Sequence, residues 1–393
     1  MQYRKFRADQ LFTGHQLLGA DQVLITNNEG RVDGVVPVPE AGDDVQVFPG
    51  LLSPGFINCH CHLELSHLKD VVPPHTGLID FLCDVVTKRG FPQEVIQDRI
   101  EKADKEMYDK GIVAVGDISN TADTVRVKAK SRIRYYNFIE VLGFTDDKAE
   151  ENIAAFNNVL KEYHKELPEK NSVLTPHAPY SISTKTFGLI NESTDGRLIS
   201  IHNQESPDED ELYKTGGGGF LRLFKQFGID RSPFTVTGKS SLRSYLPHFN
   251  RKQTILLIHN TFIPEEDILF AKDYADKHGM NLFFTLCVRA NLYIENRKPP
   301  VHLFLKHDCP IVLGTDSYSS NWELSIAKEI EAVMNMTCFD DLTAEDKICT
   351  VYKMATVNGA KALRMDDELG SFDKGKMPGI VNVVSSGLVK RVL

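Results

Sequence analysis

Four residues, two of them in a His-x-His pair, have the types and spacing needed to hold one metal ion. His60 and His62 are two residues apart, so in a strand their side chains point to the same side. His202 and Asp316 add a third imidazole and a carboxylate, completing a nitrogen and oxygen ligand set. The set predicts one divalent metal, Zn²⁺, with Fe²⁺ as the alternative. The competing interpretation is that these are ordinary half-buried histidines satisfied by hydrogen bonds.

Further residues could complete a hydrolytic reaction at such an ion. A bound metal lowers the pKa of water from about 15.7 to about 7, which supplies a nucleophile. Asp316 could accept the proton of that water, His259 could orient it, and Glu205 could protonate a ring nitrogen of the substrate. Alternatively, Glu205 is a solvated carboxylate in an acidic run, and Asp316 is the N-cap of a helix.

Other residues are candidates for contacts with a substrate. Glu140 ends a predicted strand and could accept a hydrogen bond from a ligand, or could pair with a surface Lys or Arg. Arg289 could hold a carboxylate or a ribose hydroxyl, or could form a salt bridge. Residues 206–230, which include four consecutive glycines, are predicted to form a lid or a loop that leads into a helix. Tyr180 and Trp322 are candidates for stacking on a ligand.

Short apolar runs that alternate with helix-like segments must position these side chains. One such segment, 264–279, begins with a proline and ends at a glycine, as is typical of a helix. This alternation predicts a parallel sheet covered on both faces. Eight runs fit a closed (β/α)8 TIM-type barrel, in which all strand carboxyl ends meet at one face; a doubly wound open sheet is the alternative. The runs are 56–64, 112–119, 133–143, 172–181, 198–205, 254–262, 281–288 and 310–317.

Both ends of the chain are rich in short strands and turns. Residues 1–52 and 366–393 alternate apolar residues with glycine-containing turns. We expect these two segments to form one small β-sandwich domain, and residues 53–365 to form the metal-dependent barrel. The alternative is a pair of unrelated ribbons at the edges of the barrel.

Composition excludes several classes of partner. The 393 residues include 45 Lys and Arg against 54 Asp and Glu, which gives a net charge of −9. No basic surface is therefore expected for nucleic acid. No run approaches about 18 apolar residues, so no membrane span is expected.

The first residues lack the apolar stretch of a signal peptide, and seven scattered cysteines suggest reduced thiols and a cytoplasmic protein. A homodimer is compatible with the sequence, but no feature argues for it.

Several motifs together resemble the amidohydrolase superfamily, in particular its mononuclear, metal-dependent deaminase and chlorohydrolase branch. They are PGFINCHCHLELS, TPHAPYSIS, IHNQES, LLIHN, LGTDS, MATVNGAKAL and LGSFDKGKMPGIV, which span nearly the whole chain. The resemblance implies a distorted (β/α)8 barrel with one divalent metal. By position it implies ligands at His60, His62, His202 and Asp316, a proton shuttle at Glu205, a histidine near the reactive water at His259, and substrate contact at His177.

Two local features refine this resemblance. The fourth apolar run contains no lysine, whereas the binuclear branch places a carboxylated lysine there, so a single metal is expected. In the seventh run, relatives often read Cys-Pro-Arg-Ser-Asn, but this chain reads Cys-Val-Arg-Ala-Asn at 287–291. The substrate contacts of that segment are therefore expected to differ.

The resemblance implies a hydrolytic deaminase that releases ammonia through attack of metal-activated water. TPHAPYS is similar to members that act on 6-aminopurine nucleosides of the aminodeoxyfutalosine, methylthioadenosine or S-adenosylhomocysteine class. The expected partner is thus a small aminated N-heterocycle or nucleoside. The alternatives are a chlorohydrolase, a guanine or cytosine deaminase, and a barrel that binds a ligand without catalysis. An aldolase-type barrel would need a lysine at a strand end, and none of the eight runs contains one.

Overall fold

The computed structural model describes residues 3–384 and 388–393, and all statements below concern these residues. The strands are β1 Tyr3–Phe12, β2 Leu17–Gly19, β3 Gln22–Asn27, β4 Val32–Pro37, β5 Val45–Pro54, β6 Phe56–Cys61, β7 Ile112–Ser119, β8 Arg134–Val141, β9 Ser172–Pro176, β10 Leu198–Asn203, β11 Thr254–His259, β12 Asn281–Leu286, β13 Ile311–Leu313, β14 Ile380–Val383 and β15 Val389–Arg391.

Helices connect most of the strands after β5. They are α1 Val38–Ala41, α2 Leu78–Lys88, α3 Gln93–Asp109, α4 Val125–Lys128, α5 Ala149–Glu166, α6 Thr184–Ser193, α7 Pro207–Thr215, α8 Phe220–Gln226, α9 Ser241–Tyr245, α10 Glu265–His278, α11 Val288–Glu295, α12 Val301–Lys306, α13 Ile326–Met334, α14 Ala344–Ala355 and α15 Val357–Ala362. Helix α10 is the one predicted from its termini: Pro264 is its N-cap and Gly279, with φ 63°, its C-cap. Among the described residues, no helix combines the length and the apolar character needed to cross a membrane.

Each of the eight predicted runs contains one strand, and these strands form two parallel four-stranded sheets. The strand orders are β6-β7-β8-β9 and β10-β11-β12-β13. Every residue of β7, β10 and β11 is buried, which explains why these strands are nearly continuous apolar runs. Seven of the eight runs extend beyond the end of their strand, and the run 112–119 coincides with β7.

The two sheets meet at both of their edges. At one junction the backbone nitrogen of His202 in β10 donates to the carbonyl of His177, just after β9, at 2.9 Å. At the other, the backbone nitrogen of Asp316 donates to the carbonyl of His60 in β6 at 3.0 Å. Gly314 permits this approach, since a Cβ there would lie 2.8 Å from the Cβ of His60. Both junctions therefore place predicted site residues side by side.

Both chain ends build one further sheet in the described part of the chain. Its order is β15-β14-β5-β1-β3-β4, with β2 paired to β1. It has its own apolar core, which includes Phe6, Leu24, Leu52 and Ile380. The predicted association of the two termini is thus seen as a single mixed sheet rather than as two separate ribbons. The sandwich and the domain boundaries stay predictions.

A fully buried ion pair joins β7 to α4, and its carboxylate also binds the backbone just after β6. The Lys128 Nζ at the end of α4 lies 2.6 Å from Asp117 Oδ2 in β7, and both side chains are 0% exposed. The other oxygen of Asp117 accepts a hydrogen bond from the backbone nitrogen of Leu63 at 2.8 Å. Because Leu63 directly follows His62, this pair fixes the backbone next to the His-x-His motif.

Replacing the buried cation should destabilise the protein strongly. Lys128→Met leaves the Asp117 carboxylate buried without its partner, and we expect the free energy of unfolding to fall by about 3–5 kcal/mol. Urea denaturation measures this. The matched control is Lys102→Met, because Lys102 pairs with Asp98 at 2.7 Å on the surface, with side chains 65% and 51% exposed; its loss should cost less than about 1 kcal/mol. Equal effects of the two substitutions would contradict the importance of burial.

Candidate active site

The predicted ligand residues converge at the carboxyl ends of the parallel strands. The Nε2 atoms of His60 and His62 are 3.2 Å apart, and each lies 3.5 Å from Asp316 Oδ1. His202 joins them from the other sheet, since its ring nitrogen, that of His60 and that of His259 lie within 4.8 Å of one another. Three of these five potential ligands lie in β6, β10 and β11 and the other two follow β6 and β13, so residues that span more than 250 positions of the sequence lie close together.

The protonation states of this cluster fit a divalent cation. Burial lowers the pKa of His62 to about 3 and that of His259 to about 4, and it lowers the pKa of His202 well below its usual value. Burial alone would raise the pKa of Asp316, but hydrogen bonding from His60 and the adjacent imidazoles hold it well below its usual value. Neutral imidazoles with an ionised carboxylate are the forms that ligate zinc or iron.

Hydrogen bonds fix the orientation of two of the imidazoles. His202 Nδ1 donates to the carbonyl oxygen of His177 at 2.8 Å. His259 Nδ1 lies 2.8 Å from the side-chain oxygen of Asn291, whose amide nitrogen donates to the carbonyl of His259. In each ring the proton therefore lies on Nδ1, where it forms this hydrogen bond, and Nε2 keeps its lone pair. Such outer partners set the tautomer of histidines that bind metals or accept protons.

Two of these residues have left-handed backbone conformations. His259 has φ 69° and Asp316 has φ 58°, values that are uncommon for residues other than glycine. Asp316 is held in place by Ser320, whose hydroxyl donates to its Oδ2 at 2.6 Å. Conformations of this kind cost about 1–3 kcal/mol each and concentrate at functional sites. These conformations occur at the last residue of β11 and three residues after the end of β13.

Glu205 lies beside the cluster and is held there by a second carboxylate. Its Oε1 is 3.5 Å from His259 Nε2, and burial, followed by the charge of Asp316, raises its pKa well above the usual value. The backbone nitrogens of Gln204 and Glu205 donate to Glu209 at 2.9 and 2.6 Å. Glu209 also closes a capping box at the start of α7. In the sequence Glu209 is one of several neighbouring acidic residues. Its Ser-x-x-Glu spacing from Ser206 is the signal that identifies it as a capping residue.

The cluster forms the inner end of a cavity of about 250 Å³. The predicted substrate contacts Glu140 and His177 both line it. Glu140 Oε1 faces His202 Nδ1 at 3.5 Å and its Oε2 accepts a hydrogen bond from Asn120, while burial raises its pKa to about 8. His177 Nδ1 lies 2.7 Å from the hydroxyl of Ser181. The structure thus brings both residues within reach of a ligand, and their roles stay predictions.

Arg289 and Trp322 lie outside the group of described residues that line this cavity. The Arg289 guanidinium is 3.7 Å from a carboxylate oxygen of Glu323, and it lies over the Trp322 ring at 5.2 Å. The attraction of Glu323 explains this orientation. The contact between Arg289 and Glu323 corresponds to the salt bridge that was the alternative for Arg289. A substrate contact of Arg289 or of Trp322 stays an untested prediction.

The segment after β10 covers the outer part of the cavity. It consists of helices α7 and α8 joined by glycines, of which Gly216 has φ 76° and Gly218 has φ 89°. The ring of Tyr180, which lines the cavity, stacks on Phe220 of α8 at 4.1 Å. Phe227, just after α8, also lines the cavity. The segment therefore contains helices and also forms a wall of the site.

Comparisons with known proteins agree with this arrangement. The sequence model of the amidohydrolase family matches residues 51–389. A 5-methylthioadenosine/S-adenosylhomocysteine deaminase of Teredinibacter turnerae is 26% identical over 387 residues, covering 94% of this chain and 80% of that protein. An adenosine deaminase of Helicobacter pylori is 28% identical over 378 residues, covering 90% of this chain and 88% of that protein.

A solved structure supports the fold. The aminofutalosine deaminase of Helicobacter pylori, determined in complex with methylthio-coformycin, superimposes with a TM-score of 0.77 and 22% identity. The match covers 96% of this chain and 91% of that chain. The fold is accordingly of the TIM-barrel type with α/β content.

Removing a predicted ligand should remove the metal. We expect the purified wild-type protein to carry one equivalent of a divalent metal, and His60→Ala and Asp316→Asn to lose most of it, because each substitution deletes one donor from a set of four. Elemental analysis by mass spectrometry measures the content. His302→Ala is the control, since His302 is exposed on α12. Full metal content in both ligand variants would refute the ligand assignment.

Proposed function

This chain belongs to the amidohydrolase family, and we propose that it is a metal-dependent hydrolytic deaminase that releases ammonia from a 6-aminopurine nucleoside. The observation that carries the proposal is the position of the buried Glu205, whose Oε1 lies 3.5 Å from His259 Nε2, in the same cavity as the cluster of histidines and Asp316. Deaminases of methylthioadenosine, S-adenosylhomocysteine and adenosine among its relatives support the choice of substrate.

The scaffold of this proposal is a closed (β/α)8 barrel formed by residues 53–365. The two parallel sheets would close through the junctions at His177–His202 and His60–Asp316. Residues 1–52 and 366–393 would form the accessory β domain. Closure explains why side chains from β6, β10, β11 and the loop after β13 reach one point.

In the proposed enzyme His60, His62, His202 and Asp316 hold one divalent metal. Three nitrogen donors and one oxygen donor favour zinc, with Fe²⁺ as the alternative. When bound, the metal supplies Lewis-acid chemistry that makes water a stronger nucleophile at neutral pH.

Side chains of the protein transfer the protons of the proposed reaction. Burial raises the pKa of Glu205 well above its usual value, which favours the protonated form, and Glu205 donates this proton to the purine ring nitrogen next to the carbon that bears the amino group. Asp316 accepts the proton that the attacking water loses. His259 Nε2, whose lone pair is kept free by the Asn291 contact, orients that water. The amino group then takes up the proton held by Asp316 and leaves as ammonia when the carbon–nitrogen bond breaks. The ring nitrogen keeps the proton from Glu205, and the hydroxyl group on the same carbon loses its proton to Glu205 as the 6-oxo group forms.

An ammonia-release screen tests the proposal. Adenosine, its 5′-substituted analogues, guanine, cytosine and chlorinated or aminated s-triazines should be compared with the metal-loaded enzyme. We expect ammonia from the 6-aminopurine nucleosides. Turnover restricted to guanine, cytosine or triazines would instead support the alternative of a guanine or cytosine deaminase or a chlorohydrolase. No turnover of any compound would contradict an enzymatic role at this site.

Glu205→Gln should separate proton transfer from metal binding. The amide keeps the shape of the side chain but cannot exchange the proton, so we expect kcat to fall by about 10²–10⁴-fold while the metal content stays at the wild-type level. Glu192→Gln, an exposed glutamate on α6, is the control and should retain full activity. Near-normal turnover by Glu205→Gln would show that this residue is not the proton shuttle.

Glu209→Ala tests the support of Glu205. Loss of the two backbone hydrogen bonds should displace Glu205, and a shift of about 1 Å can lower kcat by about 10²-fold. We expect KM and metal content to change little and Glu209→Gln to restore part of the rate, because its side-chain oxygen still accepts one bond. Glu211→Ala, an exposed residue of the same helix, is the control. If Glu209→Ala and Glu211→Ala had equal kcat values, Glu209 would have no positioning role.

A further inference from the structure

The backbone bends sharply at the end of β11. His259 has φ 69° and Asn260 has φ 55°, and in residues 3–384 and 388–393 no other two adjacent non-glycine residues both have positive φ. Such conformations are costly for residues other than glycine, although asparagine adopts them more readily than most. Two in succession persist only where surrounding contacts stabilise them. The contacts that hold Asn260 therefore also hold the backbone of His259.

The side chain of Asn260 forms hydrogen bonds through both its nitrogen and its oxygen. Its Nδ2 donates to the carbonyl oxygens of Leu257 at 2.7 Å and of Thr285 at 3.2 Å, which uses both amide hydrogens. These two acceptors fix the orientation of the amide, and its Oδ1 accepts from Asn203 Nδ2 at 2.9 Å. Asn203 Oδ1 in turn accepts from the Tyr245 hydroxyl at 2.8 Å. Asn203, Tyr245 and Asn260 are all fully buried.

The two asparagines join neighbouring strands beside the site. Asn203 is the last residue of β10, and Asn260 directly follows β11. The backbone nitrogen of Asn260 also donates to the carbonyl of Asn203 at 3.0 Å, so a backbone bond and a side-chain bond connect the same two residues. In sequence the two asparagines directly follow His202 and His259. Their paired contacts therefore hold the carboxyl ends of β10 and β11 together where these histidines lie.

The geometry at stake is the position of the His259 ring. This ring stacks on that of His202 with centroids 5.4 Å apart, and its Nε2 lies 3.5 Å from Glu205 Oε1. The contact with Asn291 sets the orientation of the ring, whereas the backbone that carries the ring is held through Asn260.

We propose that Asn260 and Asn203 are positioning residues for the reaction, because their paired side chains hold His259 at its place beside His202 and Glu205. The inference rests on the proposed function, in which His259 orients the attacking water. Neither asparagine is among the described residues that line the cavity, so each acts through the histidine that precedes it. A displacement of about 1 Å in such a site can lower the rate by about 10²-fold.

Two substitutions of Asn260 test this role. Asn260→Ala removes the side-chain hydrogen bonds and disfavours the bend, whereas Asn260→Gly removes the same bonds but permits the left-handed conformation. For the nucleoside that the zinc-loaded wild-type enzyme deaminates fastest, we expect kcat to fall by about 10²-fold in Asn260→Ala. The fall in Asn260→Gly should be only about 10-fold, because the bend is then unstrained. KM and zinc content should change little, since the predicted ligands are untouched.

Asn137→Ala is the matched control. Asn137 is buried, and its Nδ2 donates to the carbonyl of Asn171 at 3.2 Å and to the hydroxyl of Ser172 at 3.1 Å, beside the amino end of β9. Like Asn260→Ala, this substitution removes a buried asparagine that donates two hydrogen bonds, so it should lower the stability of the protein. We expect its kcat to stay at the wild-type value, because no residue of the site depends on it.

A second measurement does not depend on turnover. The proton on His259 Nδ1 is buried and bonded to Asn291, so in zinc-loaded protein with isotope-labelled histidine it should give a slowly exchanging NMR resonance. His259→Gln assigns this resonance by its loss. We expect Asn260→Ala to shift or broaden the resonance and Asn137→Ala to leave it unchanged.

The outcomes separate this role from the proposed function. Equal kcat values for Asn260→Ala and Asn137→Ala, or an unchanged His259 resonance in Asn260→Ala, would overturn the positioning role and leave the deaminase function standing. If Asn260→Ala does not fold, the same comparison is made between Asn260→Gly and Asn137→Gly. If the zinc-loaded wild-type enzyme deaminates no nucleoside, the proposed function fails and the role in its reaction fails with it.

Discussion

A buried, ionised carboxylate among neutral imidazoles needs a cation, and this need organises the site. Asp316 lies 3.5 Å from two histidine nitrogens, and the carboxylate keeps its charge although it is almost fully buried. A buried charge is costly unless it is paired or hydrogen-bonded, and here hydrogen bonding from His60, the adjacent imidazoles and the hydroxyl of Ser320 stabilise it. A divalent ion removes the cost and uses the lone pairs that burial keeps free on His62, His202 and His259.

The scaffold serves this cluster through a small number of backbone contacts. The carbonyl of His60 accepts the backbone nitrogen of Asp316, the carbonyl of His177 accepts both the backbone nitrogen and Nδ1 of His202, and Asp117 holds the backbone after His62. Each contact joins neighbouring strands at their carboxyl ends. The same hydrogen bonds therefore join the edges of the two parallel sheets and hold the candidate site residues next to one another.

The convergence of the candidate site residues could be predicted from the sequence, because strand periodicity and parallel pairing constrain their positions. His60 and His62 alternate with packed cysteines, and His202 and Asp316 follow apolar runs, so their convergence was determined by the strands. Residues that act across loops were harder to predict. Glu209 stands in an acidic run, and its contacts with the backbone nitrogens of Gln204 and Glu205 depend on the turn between β10 and α7.

Arg289 shows the limit of prediction from a motif. Its position after β12 suggests a substrate contact, which stays a prediction, and in the structure the guanidinium lies 3.7 Å from a carboxylate oxygen of Glu323. The competition between a ligand and a neighbouring carboxylate cannot be read from spacing, because the two residues are brought together only by the turn after β13.

Anomalous X-ray diffraction from crystals of the metal-containing protein, recorded at the absorption edge of the bound metal, tests the central claim most directly. The arrangement predicts a single peak about 2.0–2.2 Å from nitrogen atoms of His60, His62 and His202 and from an oxygen of Asp316. A peak at any other place, or a second peak of equal height in the same cavity, would contradict the account of one ion held by these four residues.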